Sequence, residues 1–366
     1  MSNSIGKKLV VTSFGESHGK CIGVVLDGFP AGYKIDLDQI QKEMDRRRPG
    51  QSNITTTRKE EDKVEVISGL LNGVSTGAPI CMLVWNKDVD SSKYDELRWT
   101  PRPGHADYTA EIRFGGYQDY RGGGRFSGRN TAVLVMAGSL AKELLKELDI
   151  EVLAYTSKIG DIKAPEISFE EIRDFTESNV VRCPHKDTAE ITLNLLEKIR
   201  DEGDSIGGQV RAIALNVPPG IGNPVFGNLE GELSKMFYSI PAVKAVEFGA
   251  GVGHAEMRGS ESNDEFLLEK GKIITKSNNC GGIQGGITNG MPITCIITFK
   301  ATPSISKPQQ TVNIEGMKPC TVEIKGRHDP CIVPRAVPVV ESAMALVLAD
   351  YLLEAGHIKQ FKEADK

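Results

Sequence analysis

The chain has 366 residues with 39% apolar and 25% charged content, enough to bury a full core in one large or two ordinary domains. A net charge of −5 disfavours a general nucleic-acid binder. No apolar run approaches the ~20 residues a membrane span requires, and no signal-peptide core follows Met1, so a cytoplasmic protein is expected. Seven cysteines form an odd set without C-x-x-C spacing, several of them within strand patterns, and read as buried free thiols.

The first apolar run, Leu9-Val10-Val11, predicts a strand that ends in the polar turn Gly15-Glu16-Ser17-His18-Gly19. That pentapeptide is literally G-x-S-x-G, the elbow that presents a nucleophilic serine in α/β-hydrolases. An elbow needs a helix after the serine, whereas Cys21 to Gly28 is short, apolar and β-branched, and predicts a second strand. A helix over Asp36 to Arg47 follows, with Asp36 as N-cap. It runs into Arg46-Arg47-Arg48, and Arg98, Arg102, Arg113, Arg121, Arg125 and Arg129 come next in a stretch with few acids. Forked guanidiniums suit carboxylates and phosphates, so a small polyanion is the implied ligand; solvated surface arginines are the alternative for each taken singly.

Within the irregular stretch from Asp88 to Asn130, His105 stands just after a Pro-Gly turn, where an imidazole can exchange protons near neutral pH or merely bond to backbone. His18 has the same two readings. Gly122 to Arg129 precedes a helix over about Thr131 to Leu148, so its amides suit a phosphate; an Arg-Gly tract for single-stranded RNA is the alternative.

Setting Gly15 on Gly203 aligns the first turn with Gly203-Asp204-Ser205-Ile206-Gly207, and Pro30-Ala31-Gly32 with Pro218-Pro219-Gly220, without a gap. Gly73 to Lys87 matches Gly286 to Lys300 in the same way. Each half has a shorter helix, Phe226 to Tyr238 in the second, and closes in a long one, the second over about Ala336 to Ala355 with Gly356 at C′. A strand (Glu151 to Tyr155) and a helix (Thr188 to Asp201) join the halves, and Gln209 to Leu215 alternates as a half-covered antiparallel strand should. The expected class is α+β, antiparallel sheets packed on helices in a β-α-β sandwich. It forms one domain over residues 1–366, with pseudo-repeats at about 1–150 and 203–356. The second irregular stretch, Thr302 to Pro334, holds Gly326-Arg327-His328-Asp329-Pro330, a cation, an imidazole and a carboxylate in three positions. A salt-bridged turn is its plain alternative.

Together the Gly15–Gly19 turn, Asp45 to Gly50, Arg102 to Tyr108, Asp119 to Arg125, Gly203 to Gly207, Gly326 to Pro330 and Arg335-Ala336-Val337-Pro338 resemble chorismate synthases over nearly the whole chain. The resemblance implies an anti 1,4-elimination of phosphate from 5-enolpyruvylshikimate 3-phosphate that needs reduced FMN without net oxidation. It implies His18 as proton donor to the departing phosphate, His105 as the group that keeps the flavin in its useful protonation state, and Asp329 as an aid to proton removal at the flavin edge. Arg46, Arg48, Ser127, Arg129 and Arg327 would hold the anionic groups. Arg125, Phe126, Ser127, Pro241, Ala242, Gly285, Lys300, Ala301, Thr302, Pro303, Ser304 and Arg327 would hold FMN. A homotetramer and an external flavin reductant are further implications; no metal, nucleic acid or membrane is expected. Three positions depart from the family pattern: Asn53 in place of an arginine of some members' nicotinamide site, Ala301 where proline is common, and Phe126 where many members carry serine.

Overall fold

The computed structural model describes residues 3–48, 61–87, 97–324 and 329–362; Asn53, Arg327 and His328 lie outside them. Two five-stranded antiparallel sheets form its outer layers. In the first, β1 (Ser4–Ile5), β2 (Val10–Gly15), β3 (Cys21–Asp27), β4 (Glu65–Ser68) and β5 (Ile80–Trp85) lie in the order β1-β2-β3-β5-β4. In the second, β6 (Glu151–Ile159), β7 (Ile162–Lys163), β8 (Gly208–Leu215), β9 (Val243–Phe248) and β10 (Ile293–Phe299) lie in the order β9-β10-β8-β6-β7. In β10 buried and half-buried residues alternate without exception, so one face is fully covered. The strand after the first turn confirms that no nucleophile elbow exists here, since β3 pairs with both β2 and β5.

The covering layer is helical. α1 (Leu37–Arg47) starts at Asp36, whose carboxylate accepts from the Asp38 and Gln39 amides, and packs on α3 (Ala132–Lys146), which also lies on β3. Between them in sequence, α2 (Asp107–Phe114) gives order to part of the stretch that reads as irregular in the sequence. α4 (Lys186–Asp201) is capped by the His185 ring, and α5 (Leu229–Tyr238) by Asn228. α6 (Val333–Glu354) packs on α3 and on β6 and β8 of the second sheet, so sheet, helices and sheet follow one another. α3 and α6 meet closely at Gly138, where a Cβ would stand 2.3 Å from that of Ser342. A hairpin of Gln309–Asn313 with Lys318–Val322 occupies the second stretch read as irregular.

Contrary to the sequence reading, one helix among the described residues is long and apolar enough to cross a membrane. It is α6, and every residue of its most apolar window is buried between the sheets. The apolar runs of the sequence break at Glu341 and Asp350, which is why the count fell short. Both carboxylates are satisfied: Asp350 accepts from the amides of Lys7, Lys8 and Leu9, and Glu341 joins an ion cluster described below. Pro338 has no N–H for the Pro334 carbonyl one turn back, and the Arg182 guanidinium takes that carbonyl at 2.7 Å instead. The helix ends in a Schellman arrangement, with Gly356 at φ 76° donating to Leu353 and His357 to Leu352.

The two sheets share local geometry. Cys21 to Leu26 face Trp85 to Ile80 as Gln209 to Ala214 face Thr298 to Ile293. The Ser75 hydroxyl donates to the Pro30 carbonyl at 2.7 Å and accepts from the Tyr33 amide; the Thr288 hydroxyl does the same to Pro218 at 2.6 Å and Ile221. Gly15, Gly28 and Gly32 have positive φ, as do Gly203, Asn216 and Gly220. One difference is plain: Gly15 ends a strand, whereas Gly203 follows a helix.

All seven cysteines are free, as read from the sequence, although only Cys183, Cys295 and Cys331 are buried.

Candidate active site

The turn between β2 and β3 carries Ser17 and His18, and both side chains are buried. Ser17 Oγ lies 3.3 Å from His18 Nδ1 and 3.3 Å from the Arg121 carbonyl, so the hydroxyl ties the imidazole to the glycine tract behind it. That tract is Gly122-Gly123-Gly124, all at positive φ. A Cβ on Gly122 would stand 1.9 Å from His18 Nδ1, and one on Gly123 would stand 3.1 Å from His105 Cε1. Only bare backbone admits both rings. Consecutive residues thus hold the two histidines, which sequence order separates by most of a half.

His105 follows the Arg102–Gly104 turn, with its Nδ1 2.6 Å from Asp107 Oδ1. Asp107 is also gripped by Arg102, Nε to Oδ2 and Nη2 to Oδ1, each at 2.7 Å. Burial pushes the Asp107 carboxyl up, but the hydrogen bonds from Arg102 and His105 outweigh it and hold the group well below the usual carboxylate range. Arg102 Nη2 is 3.1 Å and 3.3 Å from the two ring nitrogens, which places it over the ring. Phe126 lines the same depression as Arg102, His105, Asp107 and Gly123, and its ring lies 6.4 Å from that of Phe114.

Just after the tract in the chain, the guanidiniums crowd together. Ser127 caps the short turn Gly128–Thr131 by accepting from the Arg129 amide. Arg129 Nη1 reaches Asp62 at 2.9 Å, Arg47 Nη1 reaches the other oxygen of Asp62 at 3.3 Å, and Arg335 is ion-paired with Asp329 and donates to the Arg47 carbonyl. Burial and then the nearby Arg335 charge push Arg47 down to about 10. Asp62 is itself buried at φ 45°, a backbone conformation a non-glycine residue holds only when its surroundings enforce it. Three guanidiniums against two carboxylates leave this cluster with an excess of positive charge, as a site for a polyanion must have.

The third group comes from the second sheet. Lys300, at the end of β10, donates its amide to the Ala242 carbonyl at 2.9 Å and its ammonium to the Gly104 carbonyl beside His105. Thr302 is held by the Ser205 hydroxyl at 2.7 Å, and the Ile206 amide donates to Pro330, next to Asp329, at 2.8 Å. The Gly203–Gly207 segment thereby braces the Lys300–Ser304 run and the Asp329 loop together. Pro241, Ala242 and Lys300 to Ser304 are contiguous. With a lysine, two hydroxyls and His105 close by, they fit a phosphorylated flat cofactor.

Three expected residues, Arg46, Arg125 and Gly285, are not brought in. All five Arg46 N–H groups go to carboxylates, Glu177 and Glu341 twice each and Glu43 once, at 2.7–2.9 Å, so none remains for a substrate. Arg125 is spent on the Gly15 carbonyl, on Ser13 and on Asn3, where it braces β2. Gly285 sits in a hairpin beside the start of α5, while Pro241 follows the end of that helix, about 15 Å away for ten residues. Arg327 lies outside the described residues. Arg48 is half-exposed at the end of α1, 3.5 Å from Asp45. Sequence reasoning passed over Asp62, Asn86, Asp107 and Arg335. Asp107, an acid two residues after a turn histidine, and Arg335, at the head of Arg335-Ala336-Val337-Pro338, carried a local signal, whereas Asp62 and Asn86 did not.

The sequence model of the family described as Chorismate synthase matches residues 9–353. The chain belongs to the chorismate synthase family. It is 52% identical to the chorismate synthase of Dehalococcoides mccartyi over 98% of each chain, and 51% identical to that of Methanococcoides burtonii over 97% of each. A crystal structure of chorismate synthase superposes with a TM-score of 0.75 at 29% identity, covering 96% of this chain and 93% of the other. The chorismate synthases are lyases acting on a small molecule, and the arginine cluster together with the two glycine-held histidines is this member's candidate for that chemistry.

Proposed function

We propose that the protein converts 5-enolpyruvylshikimate 3-phosphate to chorismate and phosphate by anti 1,4-elimination, with reduced FMN as cofactor. The observation that carries this reading is the glycine tract, which seats His18 against Gly122, in a turn that Asn86 joins to Arg129, and His105 against Gly123, next to the Gly104 carbonyl that Lys300 binds. A doubly carboxylated phosphate ester matches the guanidiniums of Arg129 and Arg335, with Arg48 at the exposed edge and Ser127 beside them, while the buried Arg47, bonded to Thr131, Asp62 and the Gly128 carbonyl, stands behind. His18, steadied through Nδ1 by Ser17, gives its proton to the leaving phosphate. Asp107 holds the His105 tautomer by accepting from Nδ1, which directs Nε2 along the glycine tract. Asp329, held by Arg335, assists proton removal. Pro241, Ala242, Phe126 and Lys300 to Ser304 would hold FMN, and Arg327 belongs to the same reading. When bound, reduced FMN supplies an electron-rich partner to the breaking C–O bond and ends the cycle reduced.

The reading includes a cytoplasmic homotetramer served by an external flavin reductant. It also includes descent of the two sheet-bearing halves from one duplicated unit, supported by the shared strand registers and by the matched Ser75 and Thr288 hydrogen bonds. The deciding experiment is an anaerobic phosphate-release assay on the enolpyruvyl substrate. Turnover is expected with reduced FMN and no stoichiometric flavin oxidation; full turnover with oxidised FMN and no reductant overturns the cofactor assignment.

A further inference from the structure

We propose that Asn86 is a positioning residue that couples the His18 turn to Arg129. It is the first residue after β5, and its amide N–H continues the pairing onto the Lys20 carbonyl at 3.0 Å, so its backbone is fixed. Its side-chain Nδ2 donates to the Glu16 carbonyl at 3.0 Å and to the Gly19 carbonyl at 2.8 Å, closing the turn from both ends around His18. Its Oδ1 accepts from Arg129 Nε at 2.7 Å. Two donors facing carbonyls and one acceptor facing a guanidinium is a set only a primary amide supplies. A carboxylate would keep Arg129 but place an acceptor-only oxygen against two carbonyl oxygens. The same side chain therefore sets where the imidazole stands and where the anion-holding arginine points.

The proposal rests on His18 as the group that protonates the leaving phosphate, and a double-mutant comparison separates the two ideas. Asn86→Asp, His18→Ala and the double variant are assayed anaerobically for phosphate release with reduced FMN, with kcat and KM measured separately and the thermal midpoint recorded. His18→Ala is expected to lower kcat by ~10² or more. Asn86→Asp is expected to lower kcat by ~10–100-fold, since a turn misplaced by about 1 Å is enough for that. It should also raise KM, because the new carboxylate draws Arg129 away from the substrate. The double variant should be no slower in kcat than His18→Ala alone, because the clamp acts through a ring that is gone. A purely structural Asn86 would instead lower kcat by the same factor in both backgrounds, and that result overturns the proposal. So does a wild-type kcat in Asn86→Asp when His18→Ala is crippled. A near-normal His18→Ala removes the catalytic reading and the proposal with it. Should Asn86→Asp fail to fold, Asn86→Ala removes the same bonds without a charge and is read by the same comparison.

Discussion

Replacing Gly122 by alanine tests the central contact of the site with one methyl group. The new Cβ would stand 1.9 Å from His18 Nδ1 and 2.0 Å from Cε1, whereas ordinary contact begins near 3.4 Å. The imidazole must therefore retreat by about 1.5 Å or the tract must shift by as much, and a misplacement of about 1 Å costs on the order of 10² in rate. Alanine at φ 59° adds a left-handed backbone penalty of about 1–2 kcal/mol to stability. Gly115→Ala separates the two effects, because Gly115 has φ 60° and nothing within 4 Å of its Cβ. Both variants should lose stability in urea unfolding, Gly122→Ala by about 1–3 kcal/mol more because its methyl also overpacks the site, and only Gly122→Ala should lose ~10²-fold or more in kcat for phosphate release. A Gly122→Ala enzyme within threefold of the wild-type kcat would refute the placement of His18 against the tract.

Three further outcomes are expected. His105→Ala and Asp329→Asn should each lower turnover by ~10²–10⁴ with flavin binding retained in a fluorescence titration, and a near-normal rate would return either residue to a structural role. Glu341→Gln strips a buried partner from Arg46 and Lys142, and should cost about 3 kcal/mol at pH 7. Burial raises the Glu341 carboxyl, but Arg46 and Lys142 outweigh it and hold the group well below its unfolded value. Its stabilisation is thus present above the ordinary glutamate pKa of ~4.3 and is lost as pH falls below it, so the gap between variant and wild type in denaturant titrations should narrow with acidification. A gap that widens instead contradicts the sign of the interaction. Ile206→Ala removes a half-buried side chain that packs beside Gly160; it should cost about 1–2 kcal/mol in thermal unfolding and leave the folded enzyme's kcat unchanged, a fall in kcat being the contrary result.

Features that depend on neighbours in sequence were readable from the residues alone. Asp36 caps α1 and Gly356 ends α6 because caps need one residue type at one position. β8 was readable as a strand, but not its environment: only Gln209 to Arg211 alternates, and Ala212 to Leu215 are all buried, so both faces are covered there and not one as the sequence suggested. The Gln309–Asn313 hairpin was not, since its strands are short, polar and interrupted by Pro319. At the site, turn chemistry exposed His18 and His105. What it could not expose is which charges meet. Arg46 and Arg47 are adjacent and look equivalent, yet one helix step turns Arg46 towards Glu341 and Arg47 towards Asp62. Asp62 and Asn86 have no motif of their own, and their importance comes from pairings with Arg129 and the His18 turn that only the folded chain creates.

The position of α6 has a consequence for synthesis. It is translated after every strand of both sheets, yet it supplies the apolar surface on which β6 and β8 rest and the partner against which α3 packs. Until it leaves the ribosome, the nascent chain presents an open seam where α6 will later lie. The helix that fills that seam is apolar enough to be mistaken for a membrane anchor by any factor that samples it before docking. Folding of this enzyme is therefore gated by its last helix, and early termination of translation should yield an aggregation-prone polypeptide, not a smaller folded one.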